Sequence, residues 1–148
     1  MTERCRIEGV EFLLDVLDLR PGTSVLAIDT GPASGAVAER LGPDARVRVA
    51  PTAGRVHEFV RRETFARIYA MDVPEFRADT TAVAALAPLL TDDGQLWVID
   101  EAGAGEDTGT VSMAVSTVLA QAGFAIVDIL ERGARVAVWA AVGRRHHG

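Results

Sequence analysis

The residues best spaced for ligand chemistry lie in Ser24 to Gly35, which reads S-V-L-A-I-D-T-G-P-A-S-G. A short apolar run, Val25 to Ile28, ends in the acid Asp29. Gly31 and Gly35 then punctuate a turn that opens a helix. An acid at that place can hold an amino group. Glycines let the backbone adopt positive φ and approach a ligand closely. Amides at the start of a helix hold polar or anionic groups, and such turns bind small molecules at the end of a sheet. The plain alternative for Asp29 is an exposed acid capping a turn; its spacing from Gly31 and Gly35 favours binding. A second acid, Asp72, follows the apolar run F-A-R-I-Y-A-M (Phe65 to Met71), at the carboxyl edge where doubly wound folds bind ligands, or simply ends a strand. Asp100 and Glu101 end another apolar run. Side chains adjacent on extended backbone point to opposite faces, so these two make a poor acid–base pair and read as a solvated strand end.

The remaining candidates are weaker. His57 sits in an amphipathic stretch and reads as a surface or half-buried residue. His146 and His147, beside Arg144 and Arg145, belong to a polar tail. Trp97 and Trp139 fall in apolar runs and read as core. Cys5 stands alone, so it forms no internal disulfide and no metal cluster. The sequence has no Ser-His-Asp order, no metal-ligand spacing and no phosphate-binding P-loop.

Composition narrows the partners. The net charge is −6, and all fifteen basic side chains other than histidine are Arg, which excludes Lys chemistry. An acidic, aromatic-poor chain argues against nucleic acid as the main partner, because phosphate binding needs basic surface and base stacking needs rings. No apolar run approaches the roughly 20 residues of a membrane span. The first residues, M-T-E-R-C-R-I-E, are charged from the outset, and the expectation is a cytoplasmic protein. The 148 residues suffice for one domain with a real core.

These residues need elements to position them. Apolar residues recur at three- and four-residue spacings in Ile7 to Leu19, which predicts a lead helix within residues 1–20. Arg20-Pro21-Gly22 stops it. A buried strand follows at Ser24 to Asp29, and then a helix from Ser34, its N-cap, to Leu41. A strand is predicted over Arg46 to Val49, a helix over Gly54 to Glu63, a strand over Phe65 to Met71 and a helix over Thr80 to Leu90. Asp92-Asp93-Gly94 reads as a turn, Gln95 to Ile99 as a buried strand and Ala102 to Thr110 as a flexible loop. Val111 to Ala122 is the last helix. Phe124 to Leu130 and Ala134 to Val142 form a hairpin, and residues 143–148 a polar tail. The predicted fold is α/β: a Rossmann-like, doubly wound, mostly parallel sheet of about six strands with an antiparallel C-terminal hairpin and helices on both faces.

The order of these motifs resembles the class I S-adenosylmethionine (SAM)-dependent methyltransferases. The R-P-G turn, the strand ending in acid-x-Gly-x-small-x-Gly, the pattern L-x-P-L-L-x-x-D-G-x-L-x-V, the A-G-F before the hairpin and the hairpin itself carry the likeness. The resemblance implies SAM as cofactor. Asp29, Thr30, Gly31, Ala33 and Gly35 would cradle its methionine part. Ala50, Pro51 and Thr52 would flank its ribose, and Asp72 would sit near the transferred methyl as the catalytic residue. Three departures stand out. Ala33 replaces the middle Gly of the turn. Ala50 stands where the family has an acid gripping the ribose hydroxyls, and losing a charged hydrogen-bond partner costs roughly 1.5–3 kcal/mol, about ten- to a hundredfold in affinity. Only one helix fits between Thr52 and Phe65, where the family places a helix, a strand and a helix.

Two function classes follow. One is a SAM-dependent methyltransferase acting on a small molecule. The other is a catalytically inactive, methyltransferase-like binding or assembly module. A nicotinamide-binding domain is disfavoured by the lack of G-x-G-x-x-G and by the hairpin. The deletion leaves the strand ending at Ala50 as an exposed edge, which suggests a homodimer.

Overall fold

The structure is a computed structural model. It describes residues 3–28, 33–60 and 62–142, with the backbone alone for residues 3–8. Its elements in chain order are α1 (Glu3–Leu17), β1 (Ser24–Ile28), α2 (Ala33–Leu41), β2 (Arg46–Ala50), β3 (Phe65–Met71), α3 (Thr80–Ala84), β4 (Leu90–Glu101), α4 (Thr108–Gln121), β5 (Phe124–Arg132) and β6 (Arg135–Val142). Short 3-10 helices fill Ala53–Glu58, Pro74–Arg77 and Ala87–Leu89. The six strands form one sheet in the order β2-β1-β3-β4-β6-β5. β2, β1, β3 and β4 run parallel, and β6 and β5 add antiparallel. The doubly wound sheet with its C-terminal hairpin is as the sequence predicts.

Strands of this sheet are apolar at consecutive positions because both faces are covered. Leu26, Ile28, Ile68, Ala70, Leu96 and Val98 pack on one face with Phe76, Val115 and Leu119. Val25, Ala27, Tyr69, Trp97 and Ile99 pack on the other with Phe12, Leu13, Leu17 and Val37. The period-2 alternation of β1, β3 and β4 therefore assigns α1 and α2 to one face, and α3 and α4 to the other. Trp97 and Trp139 stack across β4 and β6, with ring centroids 5.6 Å apart. At its outer edge β2 alternates Arg46, Val47, Arg48 and Val49 and is largely exposed, as the shortened connection implies.

Several boundaries differ from expectation. The stretch expected as a helix over Gly54 to Glu63 closes only as a 3-10 helix, and Arg61 within it lies outside the described residues. α3 stops at Ala84, and Pro88, which lacks an amide donor, falls in a separate 3-10 turn. Asp92-Asp93-Gly94 is not a free turn. It lies inside β4, where pairing with β3 jumps from Phe65–Leu90 to Arg67–Gln95. α2 begins at Ala33, so Ser34 lies within the helix and not at its cap. α4 starts earlier than Val111, because the Asp107 side chain accepts from the Thr110 amide at 2.7 Å. Residues 143–148 lie outside the described residues.

Glu75 compensates for the shortened connection after β2. Its carboxylate accepts from the Ala53 amide at 2.6 Å and the Gly54 amide at 3.0 Å. That ties the exit of β2 to the exit of β3, two otherwise separate loops. Two charge-assisted bonds to amides satisfy donors that the short 3-10 helix leaves open. Replacing Glu75 by Ala is expected to cost about 2 kcal/mol. Urea unfolding measured by circular dichroism checks this; the midpoint should fall while the slope stays constant.

Candidate functional site

The sheet reverses direction of winding between β1 and β3. β1 connects through α2 to β2 on one side, and the chain then returns to β3 on the other. The registers Ile28–Ala50, Ile28–Ala70 and Met71–Ile99 bring the carboxyl ends of the four parallel strands to one edge. Doubly wound sheets bind ligands in the crevice outside that edge, at the reversal point. The chain leaves β1 into residues 29–32 there, and leaves β3 into Asp72.

Asp72 is held in an unusual backbone state, with φ at 56°. Acids tolerate this left-handed region better than most residues. Its amide donates to the Ile99 carbonyl at 2.9 Å, which fixes the turn against β4. Its carboxylate lies 3.8 Å from a guanidinium nitrogen of Arg135, and Glu101 lies 3.6 Å from the other nitrogen. Arg135 is only 5% exposed. It enters from the first residue of β6 and is covered by α1, where Gly9 packs flush on it. A methyl at Gly9 would sit 2.6 Å from the Arg135 guanidinium carbon and from the Met71 methyl. The Asp72 carboxyl is pushed above the ordinary carboxylate range, chiefly by burial. Arg135 opposes that shift, and Asp100 and Glu101 add to it.

On the opposite side of the same edge, Arg77 holds the loop between β4 and α4. Its guanidinium donates to Asp100 at 2.6 Å, to the Glu101 carbonyl at 2.9 Å and to Glu106 at 3.1 Å. Hydrogen bonding to Asp100 raises the Arg77 pKa further, so it stays charged. Glu106 also accepts from the Gly103 amide at 2.8 Å, and that bond with Arg77 holds its carboxyl below the ordinary range. The segment expected as a flexible loop is therefore tied down at its root. Asp100, expected in solvent, is buried because Arg77 satisfies it. Asp100 and Glu101 do face opposite sides, one toward Arg77 and the other toward Arg135.

No protein-family model and no curated protein matches the sequence. Solved structures do. A SAM-dependent methyltransferase from Aquifex aeolicus superposes with a TM-score of 0.67 at 17% identity, covering 90% of this chain and 89% of its own. The chain has the class I SAM-dependent methyltransferase fold. Two further methyltransferase-fold structures are similar. Ribosomal protein L11 methylase from Lactobacillus delbrueckii subsp. bulgaricus has a TM-score of 0.62 at 15% identity, over 97% of this chain and 81% of its own. Aeropyrum pernix fibrillarin, with natively bound S-adenosyl-L-methionine, has a TM-score of 0.61 at 19% identity, over 92% of this chain and 74% of its own.

Within this methyltransferase fold, the expected donor-binding residues fall in three groups. Asp29, Thr30 and Gly31 lie outside the described residues. Ala33 opens α2 and is 3% exposed, its methyl buried in the same apolar cluster as Val37. The side chain in place of the middle Gly is thus absorbed by the helix. Nothing lies within 4 Å of where a Cβ on Gly35 would stand, so that helix face is open. Beyond β2, Ala50 is fully buried in the apolar cluster with Ala53, Val73 and Phe76. Pro51 is half-buried. Thr52 accepts from the Arg55 amide at 3.2 Å and caps the 3-10 helix. His57 is exposed.

Sequence reasoning missed Arg135, Arg77 and Glu75. In the sequence Arg135 reads only as part of the strand Ala134 to Val142; the signal was an arginine near the start of an otherwise apolar strand. Arg77 and Glu75 carried no local signal, because their partners come from distant loops.

Two outcomes are expected from this geometry. Because the folded-state pKa of Asp72 is raised, its stabilising contribution is full below the ordinary Asp pKa and is lost as pH rises through the higher folded value. The stability of the native protein relative to Asp72→Asn should therefore fall as pH increases across that window; thermal melts over a pH series read it, and a constant difference contradicts it. Gly9→Ala should gain up to about 1 kcal/mol of helix propensity but lose about 1–3 kcal/mol to overpacking against Arg135. A net loss of stability in denaturant titration is the expected result.

Proposed function

We propose that this chain is a SAM-dependent methyltransferase acting on a small molecule, with its donor held across the carboxyl ends of β1 and β2. The observation that carries the reading is the reversal point itself. Residues 29–32 join β1, buried from Val25 to Ile28, to α2 at that edge, in a fold whose solved neighbours include one with natively bound S-adenosyl-L-methionine. The described residues fit such a donor on its methionine side, since Ala33 turns its methyl into the core and Gly35 leaves open space. When bound, SAM supplies a sulfonium methyl for in-line displacement.

The chain's own part is placement. Asp29 and the backbone of the turn hold the donor's amino acid portion. Thr52 offers its hydroxyl toward the ribose, a weaker hold than a carboxylate. Asp72, at the carboxyl end of β3, orients the acceptor or takes its proton, and its raised pKa suits a group that must accept one near neutral pH. Positioning and exclusion of water account for most of the catalysis expected of such a site. The net charge of −6 favours a small molecule over nucleic acid as acceptor.

One observation favours the inactive-module reading. Ala50 is sealed in an apolar cluster, so the ribose side has no acid and no side-chain room for one without burying a charge. Calorimetric titration with SAM and S-adenosylhomocysteine separates the two. The enzyme reading expects micromolar binding that is abolished in Asp29→Ala. No heat and no thermal shift at millimolar ligand would leave the module reading.

A further inference from the structure

Six large apolar side chains are exposed among the described residues, and three of them, Val127, Ile129 and Leu130, fall within four residues of β5. They are 49%, 41% and 37% exposed. Among the described residues, β5 is the terminal strand of the sheet, paired on its β6 side alone. A terminal strand rich in exposed Val, Ile and Leu is a ready template for another strand.

We propose that a second copy of this chain pairs antiparallel with β5, joining two sheets across a two-fold axis at Leu130. Charge selects both the partner and the register. Asp128, Leu130 and Arg132 share one face of the strand by its period of two. With Leu130 opposite the partner's Leu130, Asp128 lies opposite the partner's Arg132, and the two-fold repeats that pair. Registers centred one residue beyond Leu130 or two residues before it set Glu131 against Glu131 or Asp128 against Asp128. Direct opposition of like charges destabilises a strand pair, and opposite charges support it.

The other sheet edge fails the same test. β2 was the edge expected to pair, but registers centred on Arg46, Val47 or Arg48 all set arginine against arginine. Arg48 is also engaged with Glu63 at 3.3 Å, and Arg55 covers the exposed Phe59 ring at 5.7 Å. The groups on β5 are positioned to be shared. Oδ1 of Asp128 accepts from the Ile129 amide at 2.8 Å, which leaves Oδ2 for a guanidinium. Arg132 donates to Asp15 at 2.7 Å and lies over the Phe12 ring at 4.8 Å. Its five N–H donors allow a further carboxylate, and the contact with α1 holds it at the strand edge.

The inference does not depend on SAM binding, so calorimetry and the following experiment fail independently. Light scattering coupled to size exclusion should give twice the chain mass of 15.7 kDa. Asp128→Arg, which touches no other element, should weaken the dimer about tenfold, from two lost charge pairs and two new repulsions. Arg132→Asp should do the same, and the double variant Asp128→Arg/Arg132→Asp should recover the dimer. Leu130→Arg should yield a monomer with an unchanged far-ultraviolet spectrum. A monomeric native protein at the highest soluble concentration overturns the proposal. So does a dimer that survives Asp128→Arg and Leu130→Arg but dissociates in Arg48→Glu, because the contact then lies on β2.

Discussion

Burial of the sheet on both faces is the constraint from which the other features follow. A strand such as β1, with four consecutive fully buried residues, cannot lie on a surface. It needs helices above and below, and parallel neighbours reached by crossovers. That requirement places α1 and α2 on one side and α3 and α4 on the other, and puts the chain reversal between β1 and β3. The polar residues excluded from so apolar a sheet collect where the strands end.

Two arginines organise that edge. Arg135 reaches up from β6 between Asp72 and Glu101 and is roofed by Gly9 of α1. Arg77 gathers Asp100, the Glu101 carbonyl and Glu106 on the far side. A guanidinium taken from water needs such partners, since burying a lone charge is costly. The carboxylates in turn cannot crowd together without a cation among them. Two arginines thus stand among four carboxyls at the edge, and the Asp72 carboxyl is displaced upward because its burial outweighs the pull of Arg135.

The short connection after β2 shapes the loops at that end of the sheet. With no further strand beyond it, β2 becomes an edge dressed with Arg46 and Arg48. Glu75 bridges the gap by binding the Ala53 and Gly54 amides. Ala50 then turns into the apolar cluster, where an acid would be out of place. The lost acid and the lost strand are two aspects of one rearrangement.

The sequence by itself determined the strands, their order and the hairpin. Apolar runs and period-2 alternation are local, and so are the Pro-Gly and Gly turns that bound them. It also put Asp72 directly after β3, because an acid that follows an apolar run is a local pattern. Helix ends were less legible: Asp107 caps α4 four residues before the apolar pattern begins at Val111, and Pro88 divides a stretch whose composition is helical throughout. Only the tertiary structure decided what each charge meets. Arg135, Arg77 and Glu75 find partners from elements far away in the chain, and no spacing rule anticipates such contacts. Where the Ala33 methyl goes was decided by the packing of α2 against α1, which buries it. Exposure was decided in the same way: Ile129 and Leu130 look like core in the sequence, and they are surface because the sheet ends at β5.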